Sequence, residues 1–161
     1  MWIKYFFILA KFLALKGFGR LRTHWARMLS KSIDKHANIQ SGAFISGDRN
    51  NLAIGYYAAI GINCKIGSNC AIGKGTIMGP ECIILTPNHK CDEKVKGLVG
   101  YETKHVIIGE KCWIGTRVII LPGAKIGKRC IIGAGSVVPD KEYPDYSLIA
   151  GNPAVVKKSL L

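Results

Sequence analysis

The sequence predicts an all-β fold, a parallel β-helix of hexapeptide repeats with a short helical segment at its N-terminus and one protruding loop. Three observations carry that prediction. A large apolar residue returns every six positions, at Ile54, Ile60, Ile66, Ile72, Met78 and Ile84 and again at Ile108, Ile114, Ile120, Ile126, Ile132 and Val138. Nine of these are followed directly by glycine, at Gly55, Gly61, Gly67, Gly73, Gly79, Gly109, Gly115, Gly127 and Gly133. Four positions after the apolar residue the side chain is small, as at Ala58, Cys64, Cys70, Thr76, Cys82, Cys112, Ala124, Cys130 and Ser136. Repeats at a fixed period decide the architecture before any local propensity does.

A six-residue unit with one large inward residue, a glycine for a tight backbone turn and a second small inward residue is one side of a triangular coil. The glycine is read here as a position that needs backbone angles forbidden to a residue with a Cβ. Neither an amphipathic helix, with its period of 3.6, nor a hairpin strand alternating every two residues fits the pattern. One hexad cannot bury its isoleucine alone, so the coils must stack.

The segment 1–31 precedes the repeat and is a different material. Trp2, Ile3, Tyr5, Phe6, Phe7, Ile8, Leu9, Phe12, Leu13 and Leu15 are interrupted by Lys4, Lys11 and Lys16 and followed by Arg20, Arg22, Arg27 and Lys31. It reads as a basic, aromatic-rich helix or helix pair, broken near Gly17 and Gly19. Its apolar run is too short to span a bilayer. Two readings stay open: an interfacial helix against anionic lipid, and a helix that covers an exposed strand edge.

From 32 to 158 the chain reads as one repeat domain. Ile33, Ile39 and Ile45 are in step but lack the glycine, and three extra residues before Ile54 mark an irregular first coil. Regular hexads follow to Ile84. Polar residues then replace them from Thr86 to His105, yet Ile108 resumes the phase 24 residues after Ile84. That excursion is expected to be a loop from one corner of the solenoid, and long loops in compact repeats tend to carry function. Pro139 to Asp145 ends the coils, with a short strand expected around Leu148 to Ala150.

A formal charge of +13 directs attention to anionic partners, whether membrane surface or phosphate-bearing molecule. Nucleic acid is set aside, since no helix-turn-helix, zinc-finger or aromatic-basic sheet motif is present. Five of the six cysteines fall on the small inward phase, at multiples of six rather than at the short spacings of a zinc site, so they are expected to be buried free thiols with no metal. Such thiols suit a reducing, cytoplasmic setting.

The Ile-Gly hexads, the His-bearing loop, Val106 to Gly115 with Trp113, the run Ile132 to Val138 and the close Gly151-Asn152-Pro153-Ala154 together resemble the hexapeptide-repeat acyltransferases. The resemblance covers about residues 33–158. Within that family the chain is most similar to maltose and galactoside O-acetyltransferases and to enzymes that acetylate capsule and O-antigen sugars. The resemblance implies a left-handed coil, an exception to the right-handed crossover rule. It also implies a homotrimer with acetyl-CoA-dependent sites between subunits and a saccharide acceptor that is free or lipid- or nucleotide-linked; under the interfacial reading of 1–31 the cytoplasmic enzyme would work at the inner face of the membrane.

Residue by residue, the resemblance makes His89 the general base, in loop 86–105. Asp92 or Glu93 would orient its ring or meet the acceptor, though both read equally as solvated charges. Trp113 would line the pocket or stand as a post beneath the loop. Gly115, Thr116, Ala134 and Asn152 would line the cofactor, and Lys158 would meet its phosphates. The chain departs from the pattern at Ala59, where the galactoside enzymes have an oxyanion-binding Asn, and at Val155, where a cation is usual. Abstraction of a hydroxyl proton by a histidine fits acyl transfer without any covalent nucleophile. The alternative activity is N-acetylation of an amino sugar on a nucleotide or lipid carrier. A zinc hydratase on the same scaffold would need more histidines than the coils hold.

Overall fold

The computed structural model describes residues 32–47, 51–92, 94 and 97–161, together with His24, Ala26 and Arg27; at Cys91 and Asp92 it describes the backbone alone. The helical expectation for 1–31 therefore lies outside the described residues, apart from those three positions. The rest is an all-β solenoid with three faces. The first face stacks Leu52–Ile54, Cys70–Ile72, Val106–Ile108, Lys125–Ile126 and Glu142–Tyr143. The second stacks Asn38–Ile39, Ala59–Ile60, Ile77–Met78, Trp113–Ile114, Ile131–Ile132 and Ser147–Gly151. Phe44–Ser46, Lys65–Gly67, Ile83–Ile84, Ile119–Ile120 and Val137–Val138 make the third.

Every pairing within these stacks is parallel and places like on like. On the first face Ile54 lies beside Ile72, Ile72 beside Ile108, Ile108 beside Ile126 and Ile126 beside Tyr143. The repeating isoleucines are buried and form one continuous core, with Ile45 of the first coil half-buried against it. Because side chains alternate across a strand, the residue before each isoleucine faces out.

The expected reason for the glycines is corrected by the backbone. The glycines after the inward residue do not have positive φ. They are needed because the next coil lies against them: a Cβ on Gly55 would stand 2.6 Å from the Lys74 nitrogen, on Gly73 2.5 Å from the Gly109 carbonyl carbon, and on Gly109 2.5 Å from that of Gly127. The left-handed conformation sits two residues further on, at Tyr57, Asn63, Gly75, Glu81, Lys111, Arg117, Gly123, Arg129, Gly135 and Tyr146. Most of these are not glycine, so the turn tolerates side chains and the coil-to-coil contact does not.

The small inward residues add a second link between coils. Cys64 Sγ donates to the Gly79 carbonyl oxygen at 3.2 Å, Cys82 to that of Gly115 at 3.0 Å, Cys112 to that of Gly127 at 3.1 Å, and Thr76 Oγ1 to that of Gly109 at 2.7 Å. Cys64, Cys70, Cys82, Cys112 and Cys130 are all free and buried, as their phase predicts. Desolvation pushes the Cys70 thiol up to about 12.

Two segments form antiparallel pairs outside the parallel stacks. Within the break, Pro87–Asp92 pairs antiparallel with Gly97–Thr103, so the loop is a β-hairpin ribbon. The phase alone does not distinguish this from an added coil, since 24 is a multiple of six; but an added coil would bring Lys90, Lys96 and Glu102 to the buried position. At the C-terminus Ala154–Ser159 folds back antiparallel on Ser147–Gly151. Tyr143 Oη donates to the Ala154 carbonyl oxygen at 3.1 Å and fixes this return.

Two outcomes follow. Gly109→Ala is expected to cost about 3 kcal/mol by overpacking backbone on backbone, whereas Lys111→Gly, at a left-handed corner (φ 54), should change stability by less than about 1 kcal/mol; urea unfolding of both variants checks the contrast. In a Cys91→Ser background, a thiol reagent at pH 8 should leave the folded protein unmodified and label five cysteines on unfolding.

Candidate active site

Three corners join the faces, and each is a column of stacked turns. The third corner, from the third face back to the first, carries the hairpin. His89 is on its first strand, exposed, and pairs in register with Tyr101 on the second. Side chains directly opposite each other on an antiparallel pair lie on the same side of the ribbon. Asp92 pairs with Gly97 near the far end of the ribbon, and its side chain is not described. The base of the ribbon is pinned to the solenoid. The Lys104 backbone nitrogen donates to the Thr86 carbonyl oxygen at 2.9 Å, and Lys104 Nζ reaches Asp140 Oδ2 at 2.9 Å and Glu102 Oε1 at 3.6 Å. The hydrogen bond that Lys104 donates to Asp140 leads the contacts that raise the Lys104 pKa.

Between the ribbon and this corner lies a cleft of about 450 Å³, whose lining includes Ser46, Ser68, Asn69, Thr86, Tyr101 and Thr103. Beside it, His105 Nδ1 donates to Asn69 Oδ1 at 2.8 Å, since an amide oxygen only accepts. Tyr101 is 73% exposed, so its ring is open on the ribbon.

Gly115, Thr116, Ala134 and Asn152 come together at the second corner, from the second face to the third. Gly115-Thr116 follows Ile114, Gly133-Ala134 follows Ile132 one coil on, and Gly151-Asn152 follows on the coil after that. The contact is close: a Cβ on Gly115 would stand 2.6 Å from the Ala134 nitrogen, while one on Gly135 would meet nothing within 4 Å. The result is a row of exposed small residues along the solenoid axis. Asn152-Pro153 is a cis peptide bond. Trp113 is on the second face, 59% exposed, in register with Ile77 and Ile131 and immediately before this corner.

Lys158 pairs with Leu148 on the returning strand and is exposed. Lys157 takes the irregular position between the register pairs Ile149 with Val156 and Leu148 with Lys158, and its Nζ comes within 3.9 Å of where a Gly151 Cβ would be. It therefore overhangs the second corner more closely than its position in the sequence suggests. The irregular register that turns it leaves no mark in the sequence. The pairing of His105 with Asn69 also joins residues that sequence reading treats separately, because the hairpin between them hides their proximity.

Within one chain His89 and the small-residue row are on different corners, with the third face between them. The outward residues of that face are Phe44, Lys65, Ile83, Ile119 and Val137, and those of the second face include Ile77, Trp113, Ile131 and Leu148. By contrast the outward positions of the first face hold Ala53, Ala71, Ile107, Lys125 and Glu142. The two faces that flank the second corner are thus the apolar ones. Among the described residues, no cluster of His, Cys, Asp or Glu is arranged to hold a metal ion.

Residues 105–140 match the family model described as bacterial transferase hexapeptide (six repeats), and residues 57–85 match the hexapeptide repeat of succinyl-transferase. The solved maltose O-acetyltransferase of Clostridium difficile 630 is 30% identical, with a TM-score of 0.79 over 98% of this chain and 86% of that one. A hexapeptide-repeat-containing acetyltransferase of Vibrio cholerae O1 biovar eltor, solved with acetyl coenzyme A, is 25% identical, with a TM-score of 0.69 over 87% of this chain and 76% of that one. The galactoside O-acetyltransferase of Lactococcus lactis is 38% identical over 84 residues, 52% of this chain; the match spans 40% of that enzyme's length.

The anchoring of the ribbon is open to test. Asp140→Asn should speed amide hydrogen exchange across 87–103 several-fold while leaving global stability within about 1 kcal/mol, the scale of exposed ion pairs. Unchanged exchange would mean that strand pairing alone holds the ribbon.

Proposed function

Because the chain belongs to the hexapeptide-repeat acetyltransferase family, related to galactoside and maltose O-acetyltransferases, we propose that it transfers an acetyl group from acetyl-CoA to a sugar hydroxyl. The observation that carries this reading is the row of small residues at the second corner beside Trp113, on a chain that also presents a histidine on a ribbon pinned to its third corner. Acetyl-CoA supplies an acetyl group already activated as a thioester. The row leaves room for a slender chain to lie along the axis with backbone groups within reach. Lys157 and Lys158 stand at its end as cations for the phosphates, a point-charge role that lysine suits.

In this reading His89 accepts the proton of the attacking hydroxyl as the oxygen–carbon bond forms, and returns it to the departing sulfur as the carbon–sulfur bond breaks. The product is an ester and free CoA, and the imidazole ends as it began. An imidazole can both accept and return a proton, which allows both steps. In the same reading Asp92, three residues further along the strand, orients the ring or meets the acceptor. Holding both reactants in line supplies much of the acceleration without a covalent intermediate.

The separation of His89 from the row leads to a homotrimer. A neighbouring copy placed against the apolar second and third faces brings its ribbon to this chain's row, and a head-to-tail contact of that kind closes as a ring. Contiguous exposed apolar surface of this sort marks an interface. The solenoid itself is read as left-handed, the sense of the family. The basic segment 1–31 would hold the enzyme at the inner surface of the membrane, where lipid-linked saccharides for surface polysaccharide are assembled.

His89→Ala should lower turnover by about 10² to 10⁴-fold, as for loss of a general base, while acetyl-CoA still binds. Ala134→Trp should abolish acetyl-CoA binding instead. Mixing the two inactive proteins through unfolding and reassembly should restore activity if each site draws on two subunits. No recovery, or a monomer in sedimentation, would refute the shared site; unchanged turnover in His89→Ala would remove the base.

A further inference from the structure

We propose that the N-terminal end of the first corner, where His36, Tyr56 and Tyr57 meet beside Lys35 and Arg27, docks on the surface of an anionic lipid bilayer. The proposal rests on the membrane role given above to segment 1–31 and goes beyond it by assigning a second point of contact, on the solenoid itself.

The first argument is the make-up of this corner, which joins the first face to the second. On the later coils its turns carry Lys74, Glu110 with Lys111, Lys128 with Arg129, and Asp145. On the second coil the turn residues are Tyr56 and Tyr57, and His36 of the first coil lies against them. The ring centroids of Tyr56 and Tyr57 are 4.3 Å apart, and that of His36 is 4.9 Å from Tyr56 and 5.6 Å from Tyr57. These contacts hold the rings to one another without covering them, since Tyr56 stays 48% and Tyr57 61% exposed. Rings fixed in this way lose little further freedom on docking. Tyrosine has an apolar body and a polar tip, which suits the boundary between headgroups and acyl chains.

Charge and the path of the chain supply the other arguments. Arg27 and Lys35 line a cleft of about 400 Å³ together with Tyr56, so positive charge stands at the edge of the rings. Asp34 shares that lining and is engaged by His36: its Oδ1 accepts from the His36 backbone nitrogen at 2.8 Å and lies 3.1 Å from Nδ1. Cations beside exposed aromatic rings suit anionic headgroups, in a chain of formal charge +13. Segment 1–31 joins the solenoid at the same place. Arg27 Nε donates to the Ile33 carbonyl oxygen at 3.2 Å, and Ala26 packs against the core. The apolar residues and lysines of 1–16 are thus tethered to the end that carries the rings, and both contacts can meet one lipid surface. A single weak membrane signal gives marginal attachment, and a second makes it stable. In a homotrimer, rotation about one axis sets all three patches at the same height, so a flat bilayer engages them together.

The test is flotation of the full chain with vesicles of phosphatidylcholine, alone or mixed equally with phosphatidylglycerol. The unaltered protein should bind the mixed vesicles, and salt should weaken the binding. The double variant Tyr56→Ser, Tyr57→Ser should lower the partition coefficient about tenfold, and Lys35→Gln about fivefold. Replacing both tyrosines by tryptophan should preserve binding. Urea unfolding of each variant separates a lost contact from a lost fold. Without any substitution, mixed vesicles should slow amide exchange at 34–37 and 56–58 and leave it unchanged at Asp145 and Tyr146, at the far end of the same corner. Exchange at 34–37 and 56–58 that ignores the vesicles, or a folded serine variant that binds as the unaltered protein does, would overturn the patch and leave attachment to segment 1–31 alone. Tighter binding by the serine variant would mean that the rings hold that segment back from lipid, and would overturn the patch as well. No binding of the unaltered protein to either vesicle would remove the membrane role of the segment together with the patch.

Discussion

The structure depends on how closely one coil approaches the next. Parallel pairing sets the distance between coils, and the corner after each isoleucine brings backbone against backbone, so near that a methyl group on Gly61 would stand 2.6 Å from the Gly79 carbonyl. Everything else adjusts to that contact. The isoleucines stack because the coils are in register, and the cysteines and Thr76 reach the glycine carbonyls above because those carbonyls are at hydrogen-bond distance. Removing the glycine would not loosen a turn; it would push two coils apart and break both sets of contacts together.

That constraint divides the surface into parts with different freedom. The corner residues in the left-handed conformation include tyrosine, glutamate, lysine and arginine, so the turn accepts almost any side chain at some cost in backbone strain. Charge accumulates at corners, as in the ion pairs Lys74–Glu110 and Lys128–Asp145 along the first. The second corner carries the pair Glu81–Arg117 beside its small residues Gly115, Thr116, Ala134 and Gly135, and the third interrupts the coil with the ribbon. A site built at corners leaves the core untouched, which is why the same repeat can hold different chemistries.

Much of the fold was legible because the six-residue period is strict and has one physical meaning. Isoleucine at 54, 60 and 66 assigns three faces at once. The cause of the glycine column was misread, because a sequence shows that a Cβ is absent but not which atom it would strike. The hairpin was legible as an excursion and not as a ribbon: Gly97, Gly100 and the charged residues around them suggest a loop, and its pairing depends on an irregularity between Leu98 and Gly100. At the candidate site, the small-residue row follows directly from hexad counting. The His105–Asn69 bond and the overhang of Lys157 do not, since each depends on two segments that meet only when the coils stack. Asp92, Glu93 and residues 1–31 fall beyond what the structure describes in side-chain detail, save His24, Ala26 and Arg27.

The antiparallel return of Ala154–Ser159 also bears on polymerisation. A solenoid of parallel coils is open-ended, and its last strands are templates for another molecule to continue the stack. Here the strand that follows Ser147–Gly151 on the second face runs the opposite way and carries Lys157 and Lys158. A second solenoid arriving at that edge of the second face meets a strand of the wrong direction and a pair of positive charges, so parallel stacking cannot continue there.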